Sequence, residues 1–353
     1  MKKIGIITYH HTTNFGSILQ TYGLYRKVTE FGYNCEIVNY INAVVEKRER
    51  PKKLFDCKNI RAIRDYFKYE HVKKNKDKEF DKFLDENMRV SKKIYDKDNI
   101  EEANPVYDIF LVGSDLVWDD TINNCDRNYM LKFVADNKQK IAYASSTGQF
   151  WDNDLNEVYS LLNRFKNIGV REKEIYDELN KHLNFEVDFV GDPTILLEPQ
   201  TWGNLACNRI INEEYVLIYF NDDELKIYED AINYGKKYGL KVYAISYSWL
   251  PKDITPIRPT KIEEFLSLVK NANTVFTASY HGMLYSIYFN KNFFYYNRGW
   301  KSRMRSIADY LDLGNREHYD EKVNKDIDYD EVNRRMELLR QKSIACLESY
   351  LKD

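Results

Sequence analysis

Short apolar runs alternate with stretches of helical spacing along almost the whole chain, and this alternation limits the fold more than any other feature. Ile4 to Tyr9 is too short for a helix and apolar on successive residues, as a strand buried on both faces is. Ile18, Tyr22, Tyr25 and Val28 follow at helical spacing, and Gly32 supplies a stop. Cys35–Tyr40, Asp108–Val112, Ile141–Ser145, Ile168–Val170 and Val187–Val190 continue the series of strands, with a helical stretch from Asp154 to Lys166. After Pro193 and Pro199 the rhythm restarts with Tyr215–Phe220, a helix from Asp223 to Gly239, Lys241–Ile245, a helix from Lys261 to Ala272, Asn273–Phe276 and Phe293–Tyr296. Such alternation predicts parallel sheets covered by helices on both faces. The expected fold is α/β, with two Rossmann-like domains facing each other across a ligand cleft. Residues 1–200 form the first domain and 201–320 the second, while 321–353, which holds the amphipathic stretch Tyr329–Leu351, is a helix that clasps them.

Composition removes several function classes. Lys+Arg 53 against Asp+Glu 55 leaves a net charge of -2, so no general attraction to nucleic acid follows. The 5 cysteines are odd in number and never spaced C-x-x-C, which argues against a disulfide framework or a cysteine-rich zinc site and for a reducing compartment. No motif has metal-ligand spacing, so no metal is expected. The apolar run after Met1-Lys-Lys is too short for the core of a signal peptide, and no run approaches a membrane span. The expected location is cytoplasmic.

One region breaks the rhythm. Residues 47–93 carry 17 basic side chains, among them Lys52, Lys53, Lys73, Lys74, Lys76 and Lys78, against 9 acidic ones. A solvated helical insertion with Tyr66, Phe67, Phe80 and Phe83 turned inward is one reading. A basic face giving peripheral contact with an anionic membrane surface is the other, and the two are compatible.

Polar residues gather at the corners where parallel strands end. His10-His-Thr-Thr-Asn-Phe-Gly-Ser17 precedes a helix whose first N–H groups, at Gly16 and Ser17, are placed to receive an anion or sugar hydroxyl, although plain capping explains Ser17 equally well. The spacing is neither that of a dinucleotide fingerprint nor that of a P-loop. Asp115 in Val112-Gly-Ser-Asp-Leu-Val-Trp118 is a helix cap or a ligand for hydroxyls. Ala144-Ser-Ser-Thr-Gly148 is a second corner of small residues. Arg171 in Val170-Arg-Glu172 forms a surface ion pair or forks a carboxylate or phosphate. His281, in Thr277-Ala-Ser-Tyr-His-Gly-Met-Leu-Tyr-Ser286, is a packed corner residue or a chemical one: it stands between a strand and a helix, so its side chain and the N–H groups of Gly282 and Met283 can face the expected cleft, and small Ala278 and Ser279 leave space for a ligand.

Taken together, N-F-G-S-I-L-Q-T-Y-G-L, V-G-S-D-L-V-W, A-Y-A-S-S-T-G, G-V-R-E, D-P-T-I-L-L and T-A-S-Y-H-G-M-L-Y-S-I-Y-F-N-K resemble, in order, the blocks of the polysaccharide pyruvyl transferase family. The resemblance runs from Ile4 to about Arg303 and implies a GT-B-like pair of Rossmann domains. It also implies transfer of a pyruvyl group from phosphoenolpyruvate, the donor substrate, to a sugar or lipid-linked oligosaccharide acceptor, forming a ketal without a cofactor. By it, Arg171 matches the donor-binding arginine and His281 the histidine of the last block. Asn14, Gly16, Ser17, Gln20, Ser114, Asp115, Ser279, Gly282 and Arg303 are the expected substrate-binding positions. Some relatives carry a second arginine where Ser279 stands here, so the substitute is sought in Asn297-Arg-Gly-Trp-Lys-Ser-Arg-Met-Arg305, with Arg303 or Lys301 preferred.

Phosphoenolpyruvate needs cationic partners for its carboxylate and phosphate, and protonation of its methylene carbon calls for an acid that titrates near neutrality, as histidine does. Two other readings stay open: a GT-B glycosyltransferase using a nucleotide sugar, for which Glu263 or Glu264 would hold the nucleotide, and a non-catalytic sugar-binding protein.

Overall fold

The structure is a computed structural model and describes residues 2–51, 54, 57–148, 150–151, 154–220, 225–297, 302–321 and 326–352. Lys52, Lys53, Arg298 and Lys301, singled out in the sequence, lie outside the described residues. The chain divides into two compact units: residues 1–50, 81–197 and 336–353 form one, and residues 51–80 and 198–335 the other.

The first unit is built on strands β1 (Lys3–Ile7), β2 (Asn34–Tyr40), β3 (Val90–Tyr95), β4 (Ile109–Val112), β5 (Gln139–Ser145), β6 (Asn167–Val170) and β7 (Asp188–Phe189). They form one parallel sheet in the order β3-β2-β1-β4-β5-β6-β7. Its helices are α1 (Phe15–Glu30), α2 (Ala43–Glu49), the end of the long α3 (Ile60–Asn87), α4 (Asp120–Asn123), α5 (Leu155–Leu162) and α6 (Lys173–His182). Every residue of β4 is buried, and Ile7, Val38, Phe110, Val112, Ala142 and Ile168 share one core with Trp118. Continuous apolar runs are what a sheet covered on both faces requires. Strand β3 was not foreseen: its Lys92 and Lys93 hide the alternation, and it lies at the sheet's edge, where lysines are tolerated.

The second unit repeats the plan with α7 (Pro199–Leu205), β8 (Tyr215–Tyr219), α8 (Leu225–Tyr238), β9 (Lys241–Ile245), β10 (Thr255–Ile257), α9 (Ile262–Lys270), β11 (Thr274–Thr277), α10 (Tyr280–Tyr288), β12 (Asn292–Tyr295), α11 (Ser302–Tyr310) and the start of α12 (Tyr329–Lys352). Its parallel sheet runs β10-β9-β8-β11-β12. Val216, Ile218, Val242, Ala244, Phe276 and Phe294 form its core, and the rings of Phe276 and Phe294 lie 5.2 Å apart.

In each sheet the strand order reverses once, between β1 and β4 in the first and between β8 and β11 in the second. At such a reversal the neighbouring loops leave in opposite directions and open a crevice at the carboxyl ends of the strands.

The last turns of α12 belong to the first unit and hold the end of β7 in place. Ser343 Oγ accepts the backbone N–H of Gly191 at 2.8 Å, and Tyr350 donates to Asp188 at 2.5 Å. Ser343 is fully buried. Replacing it with Ala strips a buried N–H of its acceptor, and equilibrium urea unfolding is expected to show a loss of about 1–3 kcal/mol. A variant as stable as the parent refutes this account of how α12 is fastened.

Candidate functional site

At the carboxyl edge of the first sheet, α1 starts one residue earlier than the sequence indicated, with Asn14 as its cap. Asn14 Oδ1 accepts from the N–H groups of Gly16 at 2.9 Å and Ser17 at 3.3 Å. The donors expected to stand open for an anion are therefore used by the cap. Ser17 is drawn inward, its hydroxyl donating to the Tyr9 carbonyl at 3.1 Å. Gln20, buried, donates to the Ser17 carbonyl at 2.8 Å and to Thr8 Oγ1 at 2.9 Å, and its own Oε1 accepts the Ser114 N–H at 2.9 Å. One amide thus ties the end of β1 to the end of β4.

Past β4 the chain turns through Gly113, whose φ of 145° and closeness to the Tyr143 carbonyl leave no room for a Cβ. Asp115 follows with φ 64°, left-handed backbone that few residues other than glycine occupy. Its carbonyl accepts the Ser146 N–H at 3.1 Å, fixing this turn against the end of β5. Ser114 Oγ donates to the Ala144 carbonyl at 2.7 Å and accepts from Arg171 Nη1 at 3.2 Å. Arg171 Nη1 also donates to Asp192, and Nη2 meets Asp115 Oδ1 at 3.3 Å. Asp192 in turn accepts from the Thr194 N–H at 2.9 Å and hydroxyl at 2.7 Å.

The structure thus brings seven expected site residues, Asn14, Gly16, Ser17, Gln20, Ser114, Asp115 and Arg171, into one hydrogen-bonded network beside the strand reversal. Arg171 is not a surface residue. Its side chain is 1% exposed among the carboxylates of Asp192, Asp115 and Glu172, of which only Asp115 reaches solvent. Sequence reasoning passed over Asp192 and Glu172, although both stand in the quoted blocks.

A pocket of about 590 Å³ opens on the same unit, lined by His10, His11, Asn39, Glu46, Asp81 and Ser91 among others. His11 is bonded to Glu46, lies 3.7 Å from Asp81, and receives Arg50 Nε at 3.2 Å. His10 is buried, its ring between the Thr8 carbonyl and Asn39 Oδ1 at 3.2 Å each, and burial lowers its pKa from the ordinary histidine value. The histidine pair after the first strand was the available signal for this cluster.

The second unit places Ser279, His281 and Gly282 together at the start of α10, beside the reversal between β8 and β11. Thr277 Oγ1 donates to the Tyr219 carbonyl at 2.7 Å, joining the ends of those two strands. Ser279 caps the helix, accepting the Gly282 N–H at 3.3 Å, and the Met283 N–H is spent inside the helix on the Ser279 carbonyl. Neither N–H stands ready for a ligand, contrary to the sequence expectation. A Cβ on Gly282 would strike Thr277 and Tyr219, so glycine is required for α10 to approach the sheet. His281 is 5% exposed, its ring edge-on to Tyr280 at 5.4 Å. Arg303 is half-buried in the first turn of α11, which packs on α10, while Arg305 is held by Glu317 at 3.0 Å. Among the described residues no group of three or more His, Cys, Asp or Glu side chains is arranged to hold a metal ion.

The model of a family described as polysaccharide pyruvyl transferase matches residues 14–299. No curated protein matches the chain. Similar solved structures include UDP-GlcNAc 2-epimerases. The Neisseria meningitidis enzyme bound to UDP-GlcNAc is 9% identical, with 100% of each chain covered and a TM-score of 0.56. The one from Rickettsia bellii is 12% identical, covering 100% of this chain and 97% of its own, with a TM-score of 0.56. The Methanocaldococcus jannaschii enzyme in complex with UDP-GlcNAc and UDP is 14% identical, covering 96% of this chain and 93% of its own, with a TM-score of 0.52. At such identities the likeness concerns fold, and the fold is GT-B-like, as expected.

The buried network makes a stability prediction. Asp192→Ala leaves the Arg171 guanidinium inside without its closest carboxylate and should cost about 3–5 kcal/mol. Asp115→Ala, at the solvated end of the same cluster, should cost distinctly less. Equal losses in chemical denaturation would contradict the assignment of Asp192 as the principal partner.

Proposed function

Since the chain belongs to the polysaccharide pyruvyl transferase family, we propose that it transfers the pyruvyl group of phosphoenolpyruvate to a sugar of a cell-surface polysaccharide or its lipid-linked precursor. The reading is carried by one observation: the family-like blocks of the first unit converge, at the carboxyl edge of its sheet, on a single arginine held in fixed orientation.

A donor carboxylate or phosphate would engage the Nη2 edge of Arg171, whose bond to Asp115 is long, while Asp192 and Ser114 hold the Nη1 side. His281 would protonate the methylene carbon or steady the departing phosphate. Protonation makes the central carbon a cation, a sugar hydroxyl attacks it, phosphate leaves, and a second hydroxyl of the same sugar closes the ketal. Each hydroxyl loses one proton, and the balance needs no redox cofactor. In the pocket beside His11 and Glu46, imidazole and carboxylate groups could take hydrogen bonds from an acceptor's hydroxyls. Since phosphoenolpyruvate is a cytosolic metabolite, the reaction would run in the cytoplasm.

Phosphoenolpyruvate should raise the melting temperature, and uridine diphosphate should not. The reverse pattern favours a nucleotide-sugar enzyme. His281→Ala should lower turnover by about 10²–10⁴-fold, the range of a lost general acid. His281→Gln separates the two roles, since it can donate a hydrogen bond but no proton: near-full activity would leave only the phosphate role.

Arg171→Lys should weaken donor binding in calorimetry by about tenfold or more, roughly 1.4 kcal/mol, because the fork is lost while the charge stays. Asp115→Asn should keep or tighten donor binding. A total loss in Asp115→Asn with the fold intact overturns the exchange at Nη2.

A further inference from the structure

Helix α3 has two unlike sides. Tyr69, Lys76 and Phe80 are buried at 5%, 8% and 1% exposure and lie on one line of the helix, given about 100° per residue. This side packs within the second unit: Lys76 Nζ lies 4.3 Å above the Tyr247 ring, and the Arg258 guanidinium 5.3 Å above Tyr69. The burial of Lys76 corrects its expected place on a solvated basic face.

The opposite side is apolar where water should meet it. Ile60, Ile63 and Phe67, at helical spacing on one face, are 85%, 40% and 70% exposed. Beside them Arg64 and Lys68 are exposed, and His71 and Lys74 continue the same face. From 58 to 74 the sequence holds Lys58, Arg61, Arg64, Lys68, Lys73 and Lys74 against only Asp65 and Glu70. Trp249, two residues from the Tyr247 that packs on α3, is 67% exposed as well. Among the described residues no helix is long and apolar enough to cross a membrane.

We infer that the first two turns of α3 lie on an anionic membrane surface, with Ile60, Ile63 and Phe67 entering the boundary between headgroups and acyl chains. Large apolar side chains on an exposed helix face mark a surface made to be covered. Basic residues flanking that face select a negatively charged cover, and an interfacial helix combines these two features. The membrane contact expected of the basic region 47–93 thus narrows to the first turns of α3, and insertion is added to charge. The inference does not depend on the proposed reaction.

The full-length chain is sedimented with phosphatidylcholine vesicles containing or lacking one quarter phosphatidylglycerol. Binding is expected to the anionic vesicles only and to persist in part at 0.5 M salt, roughly where charge-only attraction is screened. Ile63→Ser/Phe67→Ser should lower the partition coefficient about tenfold or more at low salt, and Arg64→Glu/Lys68→Glu should remove the preference for anionic lipid. All substituted residues are exposed, so unchanged melting temperatures are expected. Failure of the parent protein to bind anionic vesicles at low salt, or binding indifferent to both variants, overturns the inference. So does a concentration-dependent dimer in light scattering that Ile63→Ser/Phe67→Ser abolishes without altering vesicle binding, which would make the face an interface between two copies.

Discussion

The ion pair between Arg171 and Asp192 is the interaction around which the carboxyl edge of the first unit's sheet is organised. Both groups are buried, so their mutual attraction must offset a desolvation cost of several kcal/mol per ion, and the hydrogen bonds from Ser114 and Thr194 to the pair help it do so. Their partners come from other strands. Ser114 belongs to the turn after β4, Asp192 and Thr194 follow β7, and Arg171 itself follows β6. Through Ser114, the pair is coupled to Gln20 and so to the turn after β1. A buried polar network of this kind is costly if left incomplete, which constrains four strand ends to one arrangement. Rigidity at that edge is the property a reaction that depends on placement needs.

Much of this was legible in the sequence. Strand runs such as Lys241–Ile245 and Ile141–Ser145 announce themselves because a sheet covered on both faces tolerates little but apolar residues. Strand β3, with its exposed lysines, and β10, three residues with Pro256 at its centre, escape notice because an edge strand relaxes that demand. The corner residues could be identified for the same reason, since polar groups at the ends of apolar strands stand out. What they bond to could not. Whether Arg171 reaches solvent depends on Asp192 and Asp115, 21 and 56 residues away along the chain. Likewise the Gly16 and Ser17 N–H groups are taken by the side chain of Asn14. Asn14, an expected substrate-binding position, is thus also the helix cap.

At His281, packing and the proposed chemistry meet in one turn. Ser279 caps α10, and Gly282 lets the helix press against Thr277 and Tyr219. Between them the histidine lies in a largely desolvated place, edge-on to Tyr280. A burial of this kind is compatible with a packed corner residue. It is equally what a proton donor requires, because a water-filled site would hydrate the charged form and weaken its contact with substrate. Only the chemistry of the variants tells them apart.

Charge balance supplies the last constraint on the proposed donor site. Phosphoenolpyruvate carries a carboxylate and a phosphate, whereas Arg171 is already matched by Asp192 and Asp115, with Glu172 close by. One guanidinium already faces three carboxylates there, so on the proposed reading the donor's second anionic group needs a further cation. That cation must come from elsewhere in the chain. The segment from Arg298 to Arg305 contains Arg298, Lys301, Arg303 and Arg305 within eight residues. On the proposed reading, Arg303 or Lys301 of this segment supplies it, as the sequence suggested. On the proposed reading, Arg171 then acts through the direction of its fork more than through its charge. Lysine at that position would keep the charge and lose the fork.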